Sequence, residues 1–398
     1  MKKALPFLFL AIIFILIYVN RDSLFQKGDN DTYNLTINTK GLKRDILSVH
    51  LTYSDKGKKH VDSTEIINGI AQFNGKITEP LRAKLLLKLR SGNLDIDGKK
   101  QIPGFPEKPK NQFYFFLESG KFKMNITEPL IKSELTNSSA QNDFLKLNNY
   151  LEPLNNSKDS LYIKYIEYDK VKDTIGISNV TSGIIEIDTK TKAVYEKFIL
   201  KNSNSKITGY VLNRYGRTGK KLKDVEALLQ IIPESIKTSY SIQSLIETLT
   251  IKERTAIGSK ATEFELTDIS GKQINLSSYL GKYVLVDFWA SWCGPCRREH
   301  PNLVNLYHKY KDSSFTILSV SLDKESDKQK WLNAVKKDDL LWNNVADLNG
   351  FEGPVAKLYG ITSIPFNFLI NPEGMIIGKN LRGKSIEELL KKHYNRYY

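Results

Sequence analysis

Apolar and polar residues alternate through the first third of the chain. Tyr33, Leu35 and Ile37 interleave with Asn34 and Thr36, and Leu47, Val49 and Leu51 with Ser48 and His50; residues 113–117 form an aromatic run ending at Glu118-Ser119-Gly120. A period of two predicts half-buried β-strands. Gly57, Asn68-Gly69, Asn74-Gly75 and Ser91-Gly92-Asn93 supply turns. Pro103, Pro106 and Pro109 predict an extended loop. Residues 32–131 therefore read as a small β-sandwich-like domain. Over residues 135–254 the pattern becomes mainly helical, with a helical run at 225–232 stopped before Pro233 and apolar residues at helical spacing over 241–251. Polar clusters such as Asn155-Asn156-Ser157-Lys158-Asp159 read as breaks between segments. From 256 to 398 the two periods alternate. Strands are expected at 284–289, 315–322, 366–370 and 375–378, and helical segments at 293–310, 328–336, 355–359 and 386–393. That order predicts a layered α/β fold.

A different pattern opens the chain. Lys2 and Lys3 precede an uncharged apolar run over residues 4–19, after which Asn20-Arg21-Asp22 returns to polar character. Such a run spans about 24 Å as a helix, slightly short of a ~30 Å hydrocarbon core. The flanking lysines favour a cytoplasmic N-terminus. No small-x-small cleavage site follows Val19, so residues 1–20 read as an uncleaved signal-anchor rather than a cleaved signal peptide. No cysteine follows the run, which excludes a lipid-modified terminus. The rest of the chain is then expected outside the cytoplasmic membrane.

Composition narrows the function. The 398 residues are 40% hydrophobic and 26% charged, which excludes a disordered or collagenous chain. The net charge of +15 lies mostly ahead of Ala256 as scattered lysine, without a basic motif, and argues against nucleic-acid binding. Two cysteines, Cys293 and Cys296, rule out a disulfide-stapled scaffold and leave one Cys-x-x-Cys pair.

That pair carries the chemistry. Trp292-Cys293-Gly294-Pro295-Cys296 follows a predicted strand and opens a predicted helix. Two thiols at this spacing can close a small disulfide ring and reopen it. The first sits at the positive end of the helix dipole, which favours the nucleophilic thiolate. Pro295 is tolerated in the first turn, where its missing N–H has no helical partner. Cys296, one turn in, reads as the shielded resolving thiol. Asp287 interrupts an otherwise apolar strand and is expected buried beneath the pair, with a raised pKa suited to accepting the resolving thiol's proton. Structural zinc fails for want of ligands, and covalent haem attachment would need histidine where Arg297 stands. His300 and His308 read as exposed helix residues, and His50 and His60 as surface or structural ones. Gly378-Lys379-Asn380-Leu381-Arg382-Gly383-Lys384-Ser385 matches a phosphate-loop pattern, but too little chain follows for a nucleotide-binding unit.

Residues 284–299, running through Asp287-Phe288-Trp289-Ala290-Ser291-Trp292-Cys293-Gly294-Pro295-Cys296-Arg297-Arg298-Glu299, together with Ser363-Ile364-Pro365, resemble the thioredoxin superfamily. The approach segment at 261–272, Cys296-Arg297-Arg298-Glu299-His300-Pro301 and the insertion around 324–349 resemble its membrane-tethered TlpA/ResA-type branch. Residues 32–131, with Asp62-Ser63, Asn68-Gly69, Phe73 and Phe116-Leu117-Glu118-Ser119-Gly120, are similar to an uncharacterised β-rich domain found ahead of such thioredoxin domains in Gram-negative envelope proteins. The resemblance implies a thioredoxin fold over 256–398, with Cys293 as attacking thiol, Cys296 as resolving thiol and Asp287 as proton acceptor. Pro365 would be a cis proline beside them. Ile364 would pair its backbone with substrate, and Trp292, Gly294 and Pro295 would form the surface that substrate meets. Asp323 or Glu325 would be a carboxylate tuning the site, and Phe366 replaces the small polar residue common after the cis proline.

The expected activity is protein-disulfide reduction on the periplasmic side of the inner membrane. It needs no cofactor or metal, takes protein disulfides as substrates and draws electrons from a membrane donor. The alternatives are a disulfide oxidase or isomerase, and an envelope binding protein whose thioredoxin unit is redox-inactive. A peroxiredoxin would want threonine or serine where Ala290 stands.

Overall fold

The computed structural model describes residues 31–42, 46–90, 112–127, 130, 133–311 and 314–394. The expected anchor at 4–19 and the proline loop at 103–109 lie outside the described residues. Among those described, no helix is long and apolar enough to cross a membrane. The chain forms two compact units that divide between Gln243 and Ser244.

The first unit begins with strands β1 (Thr32–Asn38), β2 (Ile46–Asp55), β3 (Lys58–Glu65), β4 (Ile70–Lys76), β5 (Leu81–Leu89), β6 (Gln112–Leu117), β7 (Gly120–Asn125) and β8 (Glu134–Thr136). Among the described residues they form two four-stranded sheets, ordered β4-β1-β7-β8 and β3-β2-β5-β6. The alternating side chains that predicted strands supply a shared core: Leu35 and Ile37 from one sheet meet Val49, Leu51, Leu85 and Phe115 from the other. This is the expected sandwich. His50 bonds to Ser48 and exposed His60 stacks on Tyr53, both structural contacts.

Two long helices follow, Ser139–Lys170 and Thr174–Lys201, capped at their starts by Ser138 and Asp173. The expected break at 155–159 is absent: the first helix runs straight through it. Ser157 and Ser160 donate their hydroxyls to the Pro153 and Asn156 carbonyls one turn back, at 2.9 and 3.0 Å, so these serines are satisfied inside the helix. Lys158 pairs with Asp188 on the second helix. The expected run at 225–232 is a helix of the same length set three residues earlier, Leu222–Leu229.

In the second unit the strands are β9 (Glu265–Asp268), β10 (Gln273–Asn275), β11 (Tyr283–Trp289), β12 (Phe315–Ser321), β13 (Asn343–Ala346), β14 (Phe366–Ile370) and β15 (Ile376–Lys379). They build one sheet in the order β10-β9-β13-β12-β11-β14-β15. β11 is buried at every position, parallel to β12 and antiparallel to β14. A strand apolar on both sides needs both faces covered. Leu303 and Leu306 of helix Gly294–Tyr310, with Ile386 and Leu390 of helix Lys384–Tyr394, cover one face. Val355 and Tyr359 of helix Pro354–Tyr359 cover the other. The result is the thioredoxin fold expected from the sequence.

Candidate active site

Strand register gathers the site at one edge of this sheet. Trp289, the last residue of β11, lies opposite Ser321, the last of β12, and Phe288 lies opposite Phe366, the first of β14. The loop leaving β11 and the segment entering β14 therefore emerge side by side. Cys293 is the N-cap of helix Gly294–Tyr310 and is joined to Cys296 by a disulfide with 5.3 Å between Cα atoms. Its Sγ accepts the Cys296 N–H at 3.2 Å. A thiolate at Cys293 would thus find a backbone donor as well as the helix dipole. The pair lies under the surface, at 4% and 1% exposure, while Trp292 is 55% exposed beside it. Gly294 and Pro295 are also exposed.

Asp287 projects from β11 one pair in from the edge, between Asn367 of β14 and Ser319 of β12. It is buried, and burial pushes its carboxyl up from 3.8 to about 7; the Arg382 charge pulls it down and Glu299 pushes it up. The Ile364–Pro365 peptide is cis, and Ile364, Pro365 and Phe366 are half-buried. A disulfide closed at a helix start can exchange electrons with a second thiol pair, and the strand that leads into it carries a buried carboxyl able to hold a proton.

Similarity to known proteins points the same way. A model of the AhpC/TSA family matches residues 257–379, and a domain of unknown function (DUF4369) matches residues 33–144. The thiol-disulfide oxidoreductase ResA of Bacillus thuringiensis subsp. konkukian is 34% identical over 37% of this chain and 82% of its own length. This chain belongs to the ResA-like thiol-disulfide oxidoreductases. ResA of Bacillus subtilis is 33% identical over 36% of this chain and 77% of its own length. A solved thioredoxin domain of a thiol-disulfide oxidoreductase from Bacteroides vulgatus is 36% identical over 35% of this chain and 97% of its own, with a TM-score of 0.33.

Around this ResA-like pair stand residues the sequence reading missed. His300, expected exposed, is 1% exposed and bonds through Nδ1 to Asp338 at 2.7 Å; His308 is exposed as expected. The helix turns His300 inward because it shares a stripe with Cys296, Leu303 and Leu306. Burial holds the imidazole below its ordinary pKa, against the pull of Asp338. Arg297 donates two hydrogen bonds at 2.5 Å to the same Asp338.

Of the two carboxylates proposed to tune the site, Asp323 is the one the fold brings to it. Asp323 is fully buried and accepts from Ser291 N at 2.8 Å, Ser291 Oγ at 2.6 Å and Ser321 Oγ at 2.6 Å. It thereby clamps the loop that leads into Cys293, whereas Glu325 is exposed. In the phosphate-loop-like segment the Gly383 N–H is already taken by the Glu299 carboxylate at 2.7 Å. Among the described residues no cluster of three or more His, Cys, Asp or Glu side chains could hold a metal ion.

Proposed function

We propose that this oxidoreductase reduces disulfides of envelope proteins on the periplasmic side of the inner membrane, held there by residues 4–19. Reduced Cys293 attacks a substrate disulfide as thiolate, forming a mixed disulfide and releasing the first substrate thiol. Cys296 gives its proton to Asp287 and attacks the Cys293 sulfur. This releases the second substrate thiol and closes the Cys293–Cys296 bond. Two electrons pass to substrate, and a membrane donor of dithiol type returns them. Pro365 and the Ile364 backbone would align the substrate chain, with Trp292, Gly294 and Pro295 forming the surface it meets.

The observation that carries this reading is the Cys293–Cys296 disulfide at the N-terminus of helix Gly294–Tyr310, with a buried Asp287 on the strand that leads into it. Gly294-Pro295 between the cysteines favours reduction over oxidation. Cys293→Ser should abolish turnover of a protein disulfide, and Cys296→Ser should accumulate the mixed disulfide. Equal turnover by Cys293→Ser and the parent would leave only a redox-inactive binding role. The midpoint potential decides direction: near or below about −270 mV supports the reductase, and near −120 mV an oxidase.

A further inference from the structure

The segment that resembles a phosphate loop is held by hydrogen bonds at Asn380, Leu381, Arg382, Gly383 and Ser385. The Asn367 side chain accepts from Leu381 N at 2.8 Å and donates to Leu381 O at 2.9 Å, while Asn380 N bonds to the Asn367 carbonyl at 2.8 Å. Arg382 N donates to Ser385 Oγ at 3.0 Å. Gly383 N bonds to Glu299, three residues beyond Cys296 on the cysteine helix. This segment therefore hangs from β14 at one end and from the cysteine helix at the other.

The Arg382 side chain turns back onto the reactive edge. The Arg382 guanidinium donates one hydrogen bond to the Leu381 carbonyl, at 2.6 Å, and another to the carbonyl of Pro365. Leu381, its neighbour, is bonded by the side chain of Asn367, the residue paired with Asp287 across β14 and β11, so the Arg382 charge is carried toward a buried carboxyl faced by neutral Ser319 and Asn367 and opposed by Glu299. We propose that Arg382 is a positioning residue for thiol–disulfide exchange, holding the Pro365 carbonyl so that the adjoining Ile364 backbone faces an extended substrate and setting the field at Asp287. The guanidinium suits both tasks. Its fork makes two directed hydrogen bonds to carbonyls, and it keeps its charge at every working pH. The substrate half of the proposal rests on the reductase reading above; the Asp287 half does not.

The test uses the full chain as parent, Arg382→Met and Arg382→Lys. The chain, reduced beforehand with a dithiol that is then removed, is mixed with insulin, a protein disulfide, or with 5,5′-dithiobis(2-nitrobenzoate), a small one, and the dependence of its oxidation rate on disulfide concentration gives each KM. The midpoint potential of the cysteine pair is followed against pH in thiol buffers. Losing a charge-assisted hydrogen bond should raise KM for insulin about tenfold in Arg382→Met and leave KM for the small disulfide within about twofold. The break in the potential–pH line set by Asp287 of the oxidised chain should move to higher pH. Arg382→Lys, which keeps the charge and loses the fork, should restore the break but not the KM for insulin. Near-UV circular dichroism confirms folding; should the methionine chain not fold, a lysine chain with the parent's insulin KM overturns the proposal. In a folded Arg382→Met chain, either an unmoved KM ratio or an unmoved break overturns it. A parent inert toward both disulfides would sink the reductase reading instead, and with it the substrate half, leaving the pH break to decide the role of Arg382 at Asp287.

Discussion

Replacing Asp287 with asparagine should stabilise the C-terminal unit at alkaline pH while it slows the resolving step. The Asp287 carboxyl titrates at about 7 in the folded chain, against an ordinary 3.8. Between those values the folded chain holds a proton that the unfolded chain has released. Stability therefore falls as pH rises through this window, and the full cost is present above about pH 7. The difference of roughly three pH units, at about 1.4 kcal/mol each, amounts to about 4 kcal/mol. With the side chain almost wholly shielded from water, little of this is lost to screening. Roughly 3 kcal/mol of it should develop between pH 5 and pH 8.5.

The assay follows from where the tryptophans lie. All four, Trp289, Trp292, Trp331 and Trp342, belong to the unit that starts at Ser244, so their fluorescence in a denaturant titration reads that unit alone. Parent and Asp287→Asn, both oxidised, are unfolded at pH 5 and pH 8.5. The parent should lose about 3 kcal/mol more than the variant over this span. In the same variant, release of a mixed disulfide should slow by roughly 10²–10⁴-fold, the usual range for removing a positioned proton acceptor. Equal pH slopes in the two chains would refute the assignment of a buried, high-pKa carboxyl. A lost slope with undiminished resolution would leave Asp287 buried but outside the proton transfer.

Two further substitutions test the supports around the site and in the first unit. Asp323→Ala strips the acceptor from Ser291 N, Ser291 Oγ and Ser321 Oγ and should cost about 2–4 kcal/mol by tryptophan fluorescence, with slower exchange because the loop into Cys293 loosens. An unchanged midpoint of unfolding would contradict it. Glu118, nearly buried in the first unit, accepts from Ser138 Oγ at 2.7 Å, Ala140 N at 3.0 Å and Lys206 Nζ at 2.5 Å. Glu118→Leu should lower the stability of that unit by about 2–4 kcal/mol, followed by far-ultraviolet circular dichroism since no tryptophan lies there, and should leave disulfide exchange at the parent's rate.

The sequence was most legible where burial is continuous. The all-apolar run of β11, broken by one aspartate, marked both a buried strand and a buried acid, and the Cys-x-x-Cys that follows it marked a helix start. Within a stretch read as mainly helical, the extent of the two long helices of the first unit was not legible, for the converse reason. Among the described residues of Ser139–Lys170 only Ala140, Gln141, Leu147 and Leu151 are buried, all in its first half, so the second half carries no fully buried stripe to read. Ser157 and Ser160, which usually punctuate loops, are satisfied by their own helix carbonyls instead. His300 was misread although the signal was present. Its spacing from Cys296, Leu303 and Leu306 places it on the buried stripe, and its polarity was given more weight than its position.

Arg382 and Asp338 differ from His300 in that no local pattern announces them. Arg382 reaches Pro365 because β14 and β15 are antiparallel neighbours, which returns the chain after β15 to the edge from which β14 begins. Asp338 meets His300 and Arg297 from the end of helix Lys328–Lys337, which the crossover between β12 and β13 carries over the cysteine helix. Both placements depend on strand order and direction, and hydrophobic periodicity encodes neither. The same topology explains why the reactive groups share one edge. Two parallel strands, β11 and β12, end there, and the antiparallel β14 starts there, so the cysteine loop, the Asp323 clamp and Pro365 meet although they lie tens of residues apart in the chain. A substitution that shifted the register of β14 by one residue would move Asn367 off Asp287 and, through its two hydrogen bonds to Leu381, carry Arg382 with it. The chemistry at the thiols is therefore coupled to the register of β14 through Asn367.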